Sequence, residues 1–288
     1  MNGILVLNKP ASFTSMDCCA IVRKIAKEKR VGHTGTLDPN ATGVLPICIG
    51  KATRLIEYMD ECSKTYVAGF RLGFSSDTED IWGDVKETEI KTEITKELVE
   101  EKLKNFLGDI DQIPPMYSAK KVNGQKLYDL ARQGQVVERK PNRIHIFRIE
   151  LKSFDGKDGV LEIECSRGTY VRTICSDLGI ALGTNAIMTS LVRTSTCGFT
   201  LDDAVILEIV KEQELSNLLL PIDKAMNAYQ RIDVDDNAAR LLKNGNPEYK
   251  KHIPGISKLE KIVAVYNNEK LIAVLKNGKL DKVFNEDF

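Results

Sequence analysis

Between Val31 and Arg54 the chain reads V-G-H-T-G-T-L-D-P-N-A-T-G-V-L-P-I-C-I-G-K-A-T-R, with four glycines (Gly32, Gly35, Gly43, Gly50) and two prolines (Pro39, Pro46). Glycine weakens a helix or strand interior by about 0.5–1 kcal/mol through chain entropy, and proline removes an amide donor. The stretch is therefore read as an irregular loop, neither helix interior nor central strand. Its one carboxylate, Asp38, stands directly before Pro39, whose ring pushes the preceding residue into an extended or turn conformation. Two readings of Asp38 stay open from these residues alone. It is either an Asx-type turn in which the carboxylate bonds its own backbone, or an acid carried on a loop that approaches a ligand closely.

The loop sits in a strand-rich chain. Residues 3–8, G-I-L-V-L-N, read as a buried strand, and Thr14 with Asp17 as a capping box opening a helix with Cys18, Val22 and Ile25 on its apolar side. Residues 64–72 alternate, with Tyr66, Ala68, Phe70 and Leu72 on one face. Thr95 is expected to cap a helix that ends before Gly108, with Glu100 and Lys104 as an i,i+4 pair. A V-N-G turn and a short helix precede Gly134. Strands follow at 143–154 and 159–166, then a helix opened by R-G-T-Y-V-R and a strand from Ile187 to Thr196. Beyond Asn227 come a helix over Asp236–Lys243, two strands (K-I-V-A-V-Y and K-L-I-A-V-L) and a last short strand. Strands with interspersed helices and no regular β-α alternation argue for an α+β fold built on a largely antiparallel sheet.

Composition excludes several classes. No apolar run reaches the ~18 residues of a membrane span. The seven cysteines (18, 19, 48, 62, 165, 175, 197) are an odd number lying mostly in apolar stretches, which reads as reduced, buried thiols in a cytoplasmic protein. Three histidines and no C-x-x-C pair give no metal set. The acidic loop S-S-D-T-E-D-I-W-G-D (75–84) fails the calcium-loop pattern at Ile81. Net charge is zero, 41 basic against 41 acidic residues, but it is unevenly spread. Residues 74–111 carry twelve acids against five bases, and residues 114–148 carry eight bases (Lys120, Lys121, Lys126, Arg132, Arg139, Lys140, Arg143, Arg148) against two acids. That basic segment is either a solvated face or a phosphate footprint.

Five segments in order resemble the bacterial tRNA pseudouridine-55 synthase family, TruB: G-I-L-V-L-N-K-P, the loop G-H-T-G-T-L-D-P-N-A-T-G-V-L-P-I-C-I-G-K-A-T-R, K-T-Y-V-A-G-F-R-L-G, P-P-M-Y-S-A-K-K-V-N-G-Q-K-L-Y-D-L-A-R-Q-G, and C-S-R-G-T-Y-V-R-T-I-C-S-D-L-G. The resemblance spans essentially the whole chain. It implies an isomerase that converts uridine 55 in the T loop of tRNA to pseudouridine, with no cofactor. It implies that Asp38 is the catalytic aspartate, Arg172 its guanidinium partner, and Tyr66 the tyrosine that stacks on uracil and removes the C5 proton. His33 would fill the gap left by the flipped base, whose unstacking costs a few kcal/mol. Tyr170 and Leu191 would wall the pocket. Lys9, grouped with the substrate-binding residues, reads with Pro10 as support for the loop. Lys120 and Lys121 would meet phosphate in a T-arm-clamping insertion over about 112–142. The expected organisation is a catalytic domain over 1–227 and a PUA-like RNA-binding domain over 228–288 that meets the acceptor stem. No metal and no membrane partner are expected, and nothing calls for an obligate dimer.

Other classes fit less well. A phosphate-binding loop around Gly50-Lys51 lacks its first glycine (Leu45 stands there) and the hydroxyl after the lysine (Ala52). A hydrolase using His33 and Asp38 has no nucleophile elbow. A tRNA-binding or tRNA-folding protein without catalysis is the remaining alternative, set against the intact Asp38, Tyr66 and Arg172.

Overall fold

The computed structural model describes residues 1–118, 120–122 and 124–284, with the main chain only for Lys121, Lys126 and Ser257. The chain forms two compact units. One comprises Met1–Pro39, Gly43–Cys62 and the chain from Cys197 onward; the other comprises Asn40–Thr42 and Ser63–Thr196.

In the first unit the Gly3–Lys9 strand pairs antiparallel with Thr42–Ile49, from Gly3 opposite Ile49 to Lys9 opposite Gly43. The Val31–His33 strand pairs with the same partner at Ile47–Ile49. Between them lies the Ser15–Ala26 helix, opened by the expected capping box: Asp17 N–H donates to Thr14 Oγ1, and Thr14 N–H donates to the Asp17 carboxylate. The second half of the Val31–Arg54 stretch departs from expectation, because residues 42–49 form a strand despite Gly43 and Pro46. Thr34 N–H donates to the Pro46 carbonyl at 3.1 Å. The Pro46 nitrogen lies on the same edge, at the end of the Val31–His33 pairing, so proline removes only the reciprocal bond to the Thr34 carbonyl and leaves the ladder to Gly3–Lys9 intact. Gly50 then turns the chain with φ 63°. A Cβ there would lie 2.2 Å from Asn2 Oδ1 and 2.3 Å from the Met1 carbonyl, so only glycine fits.

The cysteines need a second correction. Cys62, the last residue before the chain enters the second unit, is disulfide-bonded to Cys197, the first residue after its return, with Cα atoms 5.3 Å apart. The pair is 135 residues apart in sequence, so spacing could not disclose it. The other five cysteines are free and buried, as expected.

The C-terminal sheet of the first unit orders Gln230–Asp233, Ile262–Asn267, Lys270–Lys276 and Lys279–Val283, parallel in the first pair and antiparallel in the rest. Its two central strands are apolar on both faces, hence their continuous hydrophobic runs. One face (Val263, Val265, Ile272, Ala273) packs with Ala239 and Leu242 of the Asp236–Lys243 helix. The other (Ile262, Ala264, Tyr266, Val274) joins Ile4, Val6, Val44, Tyr58 and Met59 in a cluster that runs across position 227. A polar seam accompanies it. Tyr58 O–H donates to the Asp281 carboxylate at 2.6 Å, Lys282 pairs with Glu57, and the Arg54 guanidinium lies 5.0 Å from the centre of the Phe284 ring.

The second unit carries an antiparallel sheet in the order Ala186–Thr196, Lys64–Leu72, Asp158–Cys165, Asn142–Phe154, Gly108–Gln112. The architecture is α+β with a largely antiparallel sheet, as the sequence implies. Thr95 caps the Lys96–Leu103 helix, but Glu100 pairs with Lys96 at 3.7 Å, not with Lys104. Lys104 begins a 3₁₀ turn, whose tighter winding removes the i,i+4 alignment. The expected hairpin pairs Lys121–Val122 with Gln125–Lys126 and leads into the Leu127–Arg132 helix.

Phe284 is 2% exposed, so Phe284→Ala is expected to lower the stability of the first unit by about 3–5 kcal/mol. Tyr58→Phe, which leaves the shape and removes one hydrogen bond, is expected to cost about 1 kcal/mol. Urea unfolding of both variants measures the difference; equal losses would refute the packing account.

Candidate active site

In the first unit the site residues gather around the 31–39 segment. Lys9 has no exposed surface, and its ammonium donates to the carbonyls of Pro10 (2.8 Å), Phe13 (2.6 Å) and Pro39 (2.9 Å). A buried charge is tolerated only with such compensation. The lysine thus ties the end of the first strand to the residue after Asp38. On the other side of Asp38, the Leu37 main chain is bonded to the Ser15 hydroxyl. Asp38 itself is half-buried. His33 ends its strand at a groove of about 620 Å³ that Gly35, Thr36, Thr53, Ile56, Glu57 and Asp60 also line.

In the second unit Tyr66 stands opposite Arg193, and Ala68 opposite Leu191, on adjacent antiparallel strands. Tyr66, Leu191 and Arg193 therefore share one face, with Tyr66 and Leu191 as diagonal neighbours. All three are buried, Arg193 completely. Tyr170 and Arg172 open the Val171–Ala181 helix, which packs on the strand bearing Leu191. Gly179 permits that approach: a Cβ there would lie 2.3 Å from Ala186 N.

Arg172 is 5% exposed, and its guanidinium is held from two sides. Nη1 donates to the Thr78 carbonyl at 2.9 Å and Nη2 to the Tyr117 carbonyl at 3.0 Å. The Asp80 carboxylate lies 3.6 Å from Nη1. Asp80 is itself fixed by donors from Thr78 Oγ1 and Trp82 N–H. The acidic loop that failed as a calcium site is thus a cradle for an arginine. It is bonded to the neighbouring strand through Ile81 N–H to the Met188 carbonyl and Met188 N–H to the Glu79 carbonyl. Within it Glu79 adopts φ 63° and accepts from Thr173 Oγ1 at 2.6 Å. Burial pushes its carboxyl above the usual range, outweighing the Thr173 bond and the Arg172 charge.

Tyr170 precedes that helix with no side-chain cap. Its place is taken by Gln112, 2% exposed, whose amide donates to the Tyr170 carbonyl at 3.0 Å and accepts from Tyr170 N–H at 2.8 Å. The sequence reading missed Gln112, Asp80 and Ser15 as supports, and Arg193 as the buried cross-strand neighbour of Tyr66. The one available signal was a polar side chain on the inward face of a strand, at Gln112 and Arg193.

The basic segment is less uniform than its sequence. Lys120 donates to the Lys140 carbonyl and to Asn142 Oδ1. Arg143 pairs with Asp111, and Arg148 with Glu150 and Glu162. The side chains of Lys121 and Lys126 lie outside the described residues. Arg132 and Lys140 are exposed. Among the described residues no cluster of three or more potential metal ligands occurs, and no helix is long and apolar enough to cross a membrane.

A sequence model described as TruB family pseudouridylate synthase, N-terminal domain, matches residues 23–171, and one for the tRNA pseudouridylate synthase B C-terminal domain matches residues 172–227. The chain belongs to the TruB family. A tRNA pseudouridine synthase B of Clostridium perfringens is 41% identical over 274 residues, covering 93% of this chain and 92% of the relative. That of Clostridium acetobutylicum is 46% identical over 245 residues, covering 85% and 84%. Among solved structures, a Cbf5-Nop10-Gar1 complex contains a chain with TM-score 0.74 and 25% identity, covering 95% of this chain and 78% of that one. An H/ACA RNP bound to a substrate RNA containing 2'-deoxyuridine gives TM-score 0.70 at 22% identity, covering 95% and 77%, and supports the fold.

In this TruB chain the raised Glu79 carboxyl has a pH signature. Unfolded, the group titrates near 4.5; folded, it holds its proton to higher pH. The folded state therefore binds more protons across that window, and stability falls as pH rises through it. Glu79→Gln keeps an acceptor for Thr173 and cannot ionise, so it is expected to gain stability relative to the wild type as pH rises from about 4.5 upward. Melting curves at several pH values measure this, and parallel curves for the two proteins would refute it.

Proposed function

We propose that the protein converts uridine 55 in the T loop of tRNA to pseudouridine, with Asp38 as the catalytic carboxylate. The observation that carries this reading is the mounting of Asp38 between two anchored neighbours, in a member of the TruB family. The reaction breaks the bond from C1′ to N1, turns the base and joins C1′ to C5. The C5 hydrogen leaves as a proton and N1 regains one, so electrons balance without a redox partner. Asp38 serves either as nucleophile at C1′ or as base at the 2′ position, and both need an ionised carboxylate. The family resemblance makes Arg172 the guanidinium that keeps it charged; within its own unit that guanidinium is held by Thr78, Tyr117 and Asp80. Tyr66 stacks on the uracil and takes the C5 proton, with Tyr170 and Leu191 as pocket walls.

His33 occupies the place of the flipped base, which must leave its stack to reach a carboxylate. The groove beside His33 leaves room for the neighbouring loop nucleotides. Phosphate contacts come from the 114–148 segment, where Arg132 and Lys140 present exposed charge. Residues 228–288 act as a PUA-like module against the acceptor stem, and the enzyme works in the cytoplasm, where tRNA is.

Asp38→Asn is expected to bind tRNA with wild-type affinity and to release no tritium from C5-labelled uridine; wild-type release would remove Asp38 from the mechanism. Neutralising Arg132 and Lys140 to Gln is expected to weaken tRNA binding and to reduce the slope of log K against log[salt] by about 1.4–1.8, the value for two phosphate contacts. An unchanged slope would place the RNA on another face.

A further inference from the structure

Leu37, the residue before Asp38, has both of its main-chain groups bonded to one side chain. Its N–H donates to Ser15 Oγ at 2.9 Å, and the Ser15 hydroxyl donates to its carbonyl at 3.1 Å. Ser15 is 1% exposed and Leu37 is buried, so water does not compete. The serine's own position is set elsewhere. It is the first residue of the Ser15–Ala26 helix, whose start is fixed by the Thr14–Asp17 box and whose body is anchored by buried Cys18, Cys19 and Val22. After Asp38 the chain is fixed again, by the proline ring of Pro39 and by the Lys9 bond to its carbonyl. With both neighbours held, the main chain at Asp38 has little room to move.

We infer that Ser15 is a positioning residue for Asp38: it transmits the rigidity of the helix to the loop and sets where the carboxylate stands. This rests on the reading of Asp38 as the catalytic acid. The physical basis is the sensitivity of a reacting pair to placement, since a displacement of about 1 Å costs on the order of 100-fold in rate. A hydroxyl both donates and accepts, so alanine removes both bonds at once. Leu37 is then free to slide while the Lys9 tether still holds the other side.

The test is single-turnover tritium release from C5-labelled tRNA at saturating enzyme, together with tRNA binding and melting temperature. Ser15→Ala is expected to lower the rate by roughly 10- to 100-fold, with tRNA affinity within twofold of the wild type. Ser15→Thr, which keeps the hydroxyl, is expected to recover most of the rate. Val22→Ala, a buried change about two turns further along the same helix from Ser15, controls for lost stability: it is expected to lower the melting temperature and leave the rate near wild type. A wild-type rate for Ser15→Ala, or an equal rate loss in Val22→Ala, would overturn the inference. If Ser15→Ala does not fold, Ser15→Cys takes its place: folded and at full rate it overturns the inference, and at reduced rate with intact binding it supports it. Asp38→Asn in the same assay separates the two claims. An active Asp38→Asn defeats the reading of the site; an inactive one beside a fully active Ser15→Ala defeats only the role of Ser15.

Discussion

An ammonium with no exposed surface must be compensated, and the way Lys9 meets that demand shapes the first unit. Three carbonyls surround it, those of Pro10, Phe13 and Pro39. Two belong to the turn that follows the first strand, and the third belongs to the residue after Asp38. Removing a lysine from water costs several kcal/mol unless such bonds are made, and bonds to a charged donor are about twice as strong as neutral ones. The strand end and the Gly- and Pro-rich segment are therefore locked to each other. A flexible sequence becomes a rigid mount because its carbonyls serve a buried charge.

The second unit solves a related problem by similar means. Arg172 is nearly buried, and two main-chain carbonyls and the Asp80 carboxylate define its plane. Five rigidly spaced donors make guanidinium orientation selective, which a lysine could not match. Tyr170, two residues earlier, is held through its own backbone by Gln112. In both units, side chains or carbonyls from distant segments hold the backbone beside a candidate site residue. Loops held this way keep their geometry without regular secondary structure of their own.

Much of this was legible from local chemistry. The Thr14–Asp17 box, the Thr95 cap, the alternation around Tyr66 and the apolar runs of the C-terminal sheet all occur where pattern and capping rules place them. Resemblance to the TruB family supplied the candidate residues, a step that composition and periodicity could not make. Local rules failed at three places, and at two of them a distant partner was responsible. Pro46 sits in a strand because its nitrogen faces the end of the short Val31–His33 edge, where a single ladder bond is lost. Lys104 left the helix register when the last turn tightened. Cys62 met Cys197 because the chain leaves and re-enters the first unit at neighbouring points.

By itself the sequence determined most of the element types, the family and the identity of the one carboxylate in the 31–54 segment, since these depend on residue type and short-range spacing. Only the tertiary structure decided what holds that carboxylate and what aims Arg172. Ser15 and Leu37 are 22 residues apart, Lys9 and Pro39 are 30 apart, and Arg172 and Thr78 are 94 apart. Hydrogen bonds of that range leave no periodic trace in a chain. They exist because burial makes an unpaired polar group costly, and folding brings the needed partners from wherever the sheet and helices have placed them.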